Sequence, residues 1–327
     1  MNPGIFREYD IRGIAEKDIT ADEVMLLGRG IGTFLKAQGC TTLALGRDCR
    51  ATSDLYAEKL TQGLLSTGCD VTDIGVCPTP LLYYAIKHLE HDGGVMVTAS
   101  HNPKEYNGFK ICRGLDSVHG KEIQEILGII NKGDFAKGDG KRSEQDVIPS
   151  YLEFVTGNIR LSRPLRVGVD AGNGTAGVVA VPILKQIGCE VHDIYCDMDG
   201  AFPNHEADPT VAKNMQNLIA MVREKELDIG IGYDGDGDRL GVVDEKGNIV
   251  FGDKLIIIFA REILSRKPGA TFISEVKCSK VMYDDIEKHG GRAIMWRTGH
   301  SLIKDKMKTE NAELAGEMSG HMFFADR

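Results

Sequence analysis

The segment Leu43-Ala-Leu-Gly-Arg-Asp48 predicts a short buried strand that ends in polar residues, and the same pattern occurs twice more in the chain. The later copies are Leu165-Arg-Val-Gly-Val-Asp170 and Thr271-Phe-Ile-Ser-Glu-Val-Lys277. A helical stretch follows each copy, and a glycine then leads into a second strand. The predicted helices are 55–66, 178–186 and 280–288. Three copies of the same strand–helix–strand pattern indicate three related units in one chain.

A third strand in each unit leads into an unusual loop. The three loops are Thr98-Ala-Ser-His-Asn-Pro103, Asp234-Gly-Asp-Gly-Asp238 and Gly316-Glu-Met-Ser-Gly-His321. Returning strands are predicted at 108–111 and 240–243, and closing helices at 121–131 and 254–266. This alternation predicts an α/β fold of three tandem related domains with mixed, mostly parallel sheets. Ligands of such sheets bind beyond the carboxyl ends of the strands, so we expect the three loops to surround a shared cleft.

Composition suggests where the domains meet. The polar stretch 132–149 is rich in Gly, Lys and Asp and predicts a first linker, and a second boundary is expected near Gly252. The predicted domains are therefore 1–148, 149–252 and 253–327. The third unit ends soon after its loop, with no closing helix, so we expect it to be truncated.

The bulk composition is that of an ordinary water-soluble globular protein, with 42% hydrophobic and 27% charged residues. The longest apolar run, 255–260, is too short to cross a bilayer, and the N-terminus shows no secretory pattern. Eight cysteines occur singly, without a C-x-x-C pair, which argues against zinc and thioredoxin-like sites and favours reduced thiols in the cytoplasm. The net charge of −9 disfavours nucleic-acid and membrane partners. The sequence leaves the oligomeric state open.

The loop Asp234-Gly-Asp-Gly-Asp238 predicts a metal site. Glycine between the carboxylates allows a tight turn, so that Asp234, Asp236 and Asp238 can converge on one cation. Ligands that are all oxygen favour a hard ion such as Mg²⁺, and Arg239 could then face a bound phosphate. An EF-hand would place Glu245 at its twelfth position, but its sixth position is Arg239 instead of glycine. A solvated acidic turn is the other alternative.

The loop around Ser100 predicts a nucleophile or a phosphate carrier at the end of a strand. A serine–histidine pair with His101 is disfavoured, because adjacent strand residues point to opposite faces and no G-x-S-x-G motif is present. A simple Asn-Pro turn is the alternative. A phosphoserine oxygen would complete the coordination begun by the aspartates, with Arg12 and Lys110 as nearby cations.

The segment Gly172-Asn-Gly-Thr-Ala-Gly177 has the glycine spacing of a dinucleotide-binding turn, and Asp193 lies near the position of a ribose-binding acid. It supports an alternative function, an NAD-dependent oxidoreductase. That function would leave the serine and aspartate loops unexplained, so a tight strand-to-helix turn is the favoured interpretation.

The third loop offers side chains that suit sugar hydroxyls. Glu317 and Ser319 can accept and donate hydrogen bonds, and His321 closes the same turn. His300 and Lys277 are further candidates for substrate binding. A polar surface turn is the alternative.

On these motifs the sequence resembles the α-D-phosphohexomutase family, along essentially its whole length. The serine loop resembles the family's phosphoserine loop, the aspartate loop its Mg²⁺ loop, and Glu317-Met-Ser-Gly-His321 its sugar-specificity loop. Further similar segments are Tyr9-Asp-Ile-Arg12, Tyr106-Asn-Gly-Phe-Lys110, Val276-Lys-Cys278 and Thr298-Gly-His300. Tyr9 is thereby a candidate substrate ligand.

The resemblance implies an isomerase that interconverts hexose 1-phosphate and hexose 6-phosphate of mannose or glucose. Phosphoserine and a 1,6-bisphosphate intermediate would carry the phosphate, Mg²⁺ would be the cofactor, and glucose 1,6-bisphosphate would activate the enzyme. The general base stays open among Lys110, His101, Arg12 and His300. Family members carry a fourth domain that binds the non-reacting phosphate, and we expect this chain to be a fragment of such an enzyme with impaired turnover. A non-catalytic sugar-phosphate-binding role is the alternative.

Overall fold

Strands and helices alternate along the chain in the computed structural model, which describes residues 1–326. By its internal contacts the chain divides into two units. The first unit comprises Met1–Asp208 and Tyr233–Asp238, and the second comprises Pro209–Gly232 and the chain from Arg239 on. No helix in the described part of the chain is both long and apolar enough to cross a membrane.

The first unit begins with a 3₁₀ turn at Pro3–Ile5 and a seven-stranded sheet with its helices. In chain order the elements are β1 (Ile11–Ile14), α1 (Ala21–Ala37), β2 (Thr42–Arg47), α2 (Ser53–Leu65), β3 (Asp70–Val76), α3 (Thr79–His88), β4 (Gly93–Val97), β5 (Tyr106–Arg113), β6 (Asp116–Ser117), α4 (Lys121–Lys132) and β7 (Arg142–Glu144). Helix α1 begins with a capping box, in which the Thr20 side chain accepts from the Glu23 amide and the Glu23 carboxylate accepts from the Thr20 amide.

The sheet has the strand order β1-β5-β4-β2-β3-β7, and β6 pairs with β5. Strand β2 is parallel to β3 and β4, and β3 is parallel to β7, whereas β5 is antiparallel to β4 and β1. A large buried core of aliphatic side chains fills the space between this sheet and helices α1, α2 and α4. The strand ends that precede the serine loop are therefore held on a rigid support.

The rest of the first unit adds α5 (Ile148–Asn158), β8 (Arg166–Asp170), α6 (Gly177–Gln186) and β9 (Glu190–Ile194). Strands β8 and β9 pair in parallel, with Arg166 opposite Glu190 and Asp170 opposite Ile194. The parallel pair joined by a helix is the βαβ arrangement that the sequence pattern predicts.

The second unit contains the remaining elements and a four-stranded sheet. They are α7 (Gln216–Glu224), β10 (Ile229–Tyr233, whose last residue belongs to the first unit), β11 (Leu240–Asp244), β12 (Ile249–Val250), α8 (Gly252–Arg266), β13 (Thr271–Glu275), α9 (Lys280–Lys288), β14 (Arg292–Trp296), α10 (His300–Thr309), β15 (Leu314–Gly316) and β16 (Met322–Phe324). The sheet order is β14-β13-β15-β16, with β16 antiparallel to β15 and the other pairs parallel.

The structure confirms the repeated strand–helix–strand pattern and corrects three details. The predicted linker 132–149 contains β7, which pairs with β3, so this segment is part of the sheet. A returning strand, β16, follows the third loop, where none was predicted. Strand β13 ends at Glu275, so Lys277 lies beyond the strand and does not end it.

Candidate active site

Ser100 lies three residues after β4, in a backbone conformation that is rare for a residue with a side chain. Its φ is +51° and its exposure is only 2%. Its amide donates to Thr98 Oγ1 at 2.9 Å, and its Oγ donates to Asp234 Oδ2 at 2.6 Å. The serine hydroxyl predicted from sequence is therefore in direct contact with the predicted metal loop.

His101 also contacts this hydroxyl, so the expectation that it points away from Ser100 is wrong. Its Nδ1 lies 3.2 Å from Ser100 Oγ. The alternation of side chains between two faces holds for extended backbone, whereas the left-handed φ of Ser100 turns the chain at this point. The imidazole can exchange a proton with the hydroxyl.

The three aspartates follow β10 directly and their carboxylates converge. One ligand oxygen of each of Asp234, Asp236 and Asp238 lies within 4.8 Å of the others. The glycines between them are needed, because a Cβ at Gly235 would lie 2.6 Å from the Ser100 carbonyl oxygen and Gly237 has a φ of +68°. The predicted convergence of the carboxylates is confirmed.

Lys110 balances part of this negative charge. Its Nζ donates to Asp236 Oδ2 at 2.6 Å and to Asp238 Oδ2 at 2.5 Å. Burial favours the neutral amine, but the two carboxylates outweigh it and hold the pKa of Lys110 well above its usual value. Burial and the neighbouring Asp238 would raise the pKa of Asp236, yet Lys110 and Thr79 hold it below its usual range. Both groups are therefore charged at neutral pH.

The donor set fits a hard divalent cation. All the ligand atoms are carboxylate oxygens, and Asp234 and Asp236 are fully buried. Asp236 Oδ1 is buried and has no hydrogen-bond partner among residues 1–326, so one ligand oxygen is already available. The Thr79 hydroxyl holds the other oxygen of this carboxylate at 2.6 Å.

Arg12 lies on β1, an edge strand of the sheet, and its side chain reaches the serine loop. Its guanidinium donates to the Asp10 carboxylate and to the Asn102 side-chain oxygen. Its Nε is buried without a hydrogen-bond partner in the described part of the chain. Tyr9, which precedes the strand, is half-buried. The structure thus brings the predicted Arg12 to the loop that carries Ser100.

In the second unit, Glu317 lies directly after β15 and is held from two sides. One of its oxygens accepts from the Gly299 amide at 2.9 Å, and the other lies 2.6 Å from His321 Nδ1. Burial would raise the pKa of Glu317, but the hydrogen bond from His321 holds it below its usual value. Glu317 is therefore ionised and oriented.

Four other predicted residues form a cluster beside Glu317, in which His321 contacts the carboxylate and the other three contact His321. Arg239 Nε donates to His321 Nε2 at 3.3 Å, which assigns the ring proton to Nδ1. Ser319 Oγ lies 3.4 Å from His321 Nδ1, and the His300 ring centroid lies 5.7 Å from that of His321. Arg239 is thus part of the third loop's cluster in this unit.

Three family models cover nearly the whole chain. The models describe phosphoglucomutase/phosphomannomutase alpha/beta/alpha domains I, II and III, and they match residues 3–137, 149–247 and 251–327. The chain belongs to the phosphoglucomutase/phosphomannomutase family. The α/β fold with three related domains and mixed, mostly parallel sheets is thereby confirmed.

Relatives of known identity agree with this family. A phosphomannomutase/phosphoglucomutase of Pseudomonas putida is 46% identical over 99% of this chain and 70% of its own length. A phosphoglucomutase of Neisseria meningitidis is 44% identical over 99% of this chain and 71% of its own length. The crystal structure of a family protein from Burkholderia thailandensis superimposes with a TM-score of 0.95 and 42% identity, covering 98% of this chain and 72% of that one.

Lys277, which the family resemblance also singled out, has an exposed side chain, and its backbone amide donates to Glu275 Oε2 at 2.7 Å. Sequence reasoning missed Glu275 itself. This buried carboxylate also accepts from Thr298 Oγ1 at 3.1 Å and from the Met318 amide at 3.1 Å. Its position as an acid at the end of an apolar strand was the available indication.

Sequence reasoning also missed Arg50, which lies two residues after Asp48 at the end of β2. Both side chains are buried, and Arg50 donates to Asp48, to three backbone carbonyls of the serine loop and to that of Tyr106, the first residue of β5. The sequence did carry an indication of this role, because Asp48 and Arg50 form a charged pair that immediately follows an apolar strand.

The glycine-rich turn that suggested a dinucleotide site has a packing role in this family member. A Cβ at Gly174 would lie 2.6 Å from the Gly235 carbonyl oxygen, and one at Gly177 would lie 2.4 Å from the Cys196 carbonyl oxygen. Backbone therefore fills the space that a pyrophosphate would need. The oxidoreductase alternative has no support.

Proposed function

We propose that this chain interconverts hexose 1-phosphate and hexose 6-phosphate, with Ser100 as the phosphate carrier. The relatives named phosphomannomutase/phosphoglucomutase and phosphoglucomutase support the reaction class, an isomerisation by phosphoryl transfer in carbohydrate metabolism. The observation that carries the role of Ser100 is its hydroxyl, buried and 2.6 Å from the aspartate loop. Phosphate on this oxygen would lie next to a strong cation site.

The reaction consists of two transfers. In the first, a hydroxyl of the hexose phosphate attacks the phosphorus of phosphorylated Ser100. The bond from phosphorus to Oγ breaks, the hydroxyl loses a proton, Oγ gains one, and a hexose 1,6-bisphosphate forms. In the second, the intermediate reorients and Oγ attacks its other phosphate and gives up a proton. The bond from that phosphorus to the sugar oxygen breaks, the sugar oxygen gains a proton, and the isomeric hexose phosphate leaves while Ser100 is phosphorylated again. His101 Nδ1, 3.2 Å from Oγ, is the group placed to supply and accept the Oγ proton.

Cations of the chain offset the charge of the moving phosphoryl group. Lys110 donates to Asp236 and Asp238, and we assign it the role of a cation beside the moving phosphoryl group. Arg12 carries a permanent positive charge at the same loop. We assign Mg²⁺ to Asp234, Asp236 and Asp238, with a Ser100 oxygen as a further ligand, because the donors are all oxygen. When bound, the metal stabilises the negative charge of the transferring group.

Residues of the third loop are proposed to recognise the sugar. Glu317 is ionised and Ser319 carries a hydroxyl, so the two can accept and donate hydrogen bonds to adjacent sugar hydroxyls. His321 fixes the orientation of Glu317. We assign His300, Lys277 and Tyr9 to substrate binding on the same grounds of chemistry and family resemblance, and Arg239 to the catalytic group, as a cation that faces a phosphate bound to the metal.

The proposal extends to the organisation of the chain. We place the domains at 1–148, 149–252 and 253–327. We place the reaction in the cytoplasm, which is supported by eight cysteines that are all free. Glucose 1,6-bisphosphate is proposed as the activator, because it can phosphorylate Ser100 directly.

Phosphate mapping tests the proposal. The purified chain is incubated with Mg²⁺ and glucose 1,6-bisphosphate, and phosphate is located by peptide mass spectrometry. We expect phosphate on Ser100 in the wild type and in the control Ser66→Ala, and none in Ser100→Ala. The Ser66 hydroxyl donates to the Gly63 carbonyl, at the end of α2. Phosphate on a different residue, or binding of hexose phosphate without any phosphorylation, would refute the carrier role of Ser100.

A further inference from the structure

We propose that Arg50 is a positioning residue that holds Ser100 in its reactive conformation by binding the backbone of the serine loop. The inference rests on the proposed role of Ser100 as phosphate carrier. Arg50 is 3% exposed and lies outside every motif that the family resemblance singled out.

All five N–H donors of the Arg50 guanidinium are used within the first unit. Nε donates to Asp48 Oδ2 at 3.0 Å. The other four hydrogen bonds go to backbone carbonyl oxygens, three in the serine loop and one at the start of β5: Ser100 at 2.8 Å, Asn102 at 2.6 Å, Pro103 at 2.6 Å and Tyr106 at 3.1 Å. No donor is left for a phosphate, so Arg50 differs in role from a substrate-binding arginine.

These bonds explain how an irregular loop can be buried. Carbonyl groups of a loop have no ladder partner, and leaving them unpaired in the interior is costly. A planar guanidinium satisfies three of them, together with the carbonyl of Tyr106 on β5, and fixes the peptide planes relative to each other. The Phe202 ring lies 5.1 Å from the guanidinium carbon and helps to cover this charge.

Asp48 connects the same residue to the other side of Ser100. It accepts from Thr98 Oγ1 at 2.7 Å, and Thr98 Oγ1 in turn accepts from the Ser100 amide at 2.9 Å. Ser100 is therefore held at its amide through Thr98 and at its carbonyl through Arg50. With both flanking peptide groups fixed, the residue is kept at a φ of +51° despite the strain.

The test compares Arg50→Lys with Arg47→Lys. Lysine keeps the charge, but its three donors cannot replace five. Arg47 lies in the same segment and pairs with Asp54 and Asp73, away from the serine loop, so it is a matched control. Two properties are measured: amide hydrogen exchange of residues 100–106, and the single-turnover rate of Ser100 phosphorylation as a function of glucose 1,6-bisphosphate concentration.

We expect Arg50→Lys to exchange faster in this loop and to lose about 100-fold in the maximal phosphorylation rate, because small displacements of a reacting atom are this costly. The half-saturating bisphosphate concentration should change by less than about twofold, since all the guanidinium donors of Arg50 are engaged within the protein. Arg47→Lys should match the wild type in both. A maximal rate and loop exchange in Arg50→Lys equal to those of Arg47→Lys would overturn the proposal.

A second variant covers the case in which Arg50→Lys does not fold. Asp48→Asn combined with Arg50→Gln removes both charges, so no unpaired charge stays buried. The same faster exchange and the same loss of rate are expected, and wild-type values would again overturn the proposal. If wild-type Ser100 accepts no phosphate, the proposed function fails, whereas hydrogen exchange still decides whether Arg50 fixes the loop.

Discussion

Replacing Gly174 by alanine should displace the backbone of the aspartate loop at Gly235. The new Cβ would lie 2.6 Å from the Gly235 carbonyl oxygen and 2.8 Å from its Cα. All the close atoms are backbone, so they cannot rotate away. Restoring ordinary contact requires a shift of about 0.4–0.8 Å in the backbone between Asp234 and Asp236.

This shift should impair both stability and chemistry. Overpacking of this kind costs about 1–3 kcal/mol. A displacement of this size at reacting groups corresponds to a loss of about 10- to 100-fold in rate. We expect Gly174→Ala to melt at a lower temperature and to phosphorylate Ser100 more slowly, in thermal melting and in the phosphate-incorporation assay.

The control is Gly128→Ala, in the middle of α4, where an added Cβ meets nothing within 4 Å. Because alanine is the better helix former, this change should raise stability by about 0.5–1 kcal/mol without altering the rate. Wild-type rate and melting temperature in Gly174→Ala would refute the reasoning, and they would show that the glycine-rich turn is not in contact with the aspartate loop.

Three further outcomes are expected from the charged groups. Lys110→Met should bind Mg²⁺ about tenfold more tightly in isothermal titration calorimetry, because the change removes a competing cation from the carboxylates. The control, Lys104→Met on the exposed surface, should bind Mg²⁺ as the wild type does. Weaker binding by Lys110→Met would contradict this reasoning. The hydrogen bond to Asp170 raises the pKa of His205 above its usual 6.5, so the pair stabilises the fold below pH 6.5 and loses this effect as pH rises through the raised pKa. The melting temperatures of wild type and Asp170→Asn should converge with rising pH. The pKa of Glu317 is below its usual 4.5, so its ionised form stabilises the fold above pH 4.5. This stabilisation is lost as the pH falls through the lowered pKa. At such low pH the melting temperature of Glu317→Gln should approach that of the wild type.

The fold was predictable from sequence in those elements that local signals mark, namely hydrophobic periodicity and a glycine at the end of a helix. The strand–helix–strand repeat could be placed because each strand is a short apolar run with a polar end. Strand β7 escaped prediction because Arg142-Ser-Glu144 has no apolar pattern and depends on pairing with a strand about seventy residues earlier. Strand β16 is only three residues long, too short for any periodicity.

The candidate site was predictable as a set of loops, but its internal geometry was not. Asp234, Asp236 and Asp238 converge because a single glycine separates each from the next and allows a tight turn, which can be read directly from the sequence. The contact between Ser100 and His101 depends on a left-handed backbone, which long-range hydrogen bonds from Arg50 support. Such bonds join residues fifty positions apart, and composition carries no record of them.

The edge strand β7 also has a practical consequence for producing the first domain by itself. The family model of that domain ends at residue 137, before β7, and a chain cut there would leave β3 as an uncovered sheet edge. Bare edges of this kind pair with other molecules and cause aggregation, whereas a short edge with charged side chains discourages it. Arg142 also joins this edge to helix α2 through Glu58. The isolated first domain should therefore resist aggregation only if it extends past Glu144.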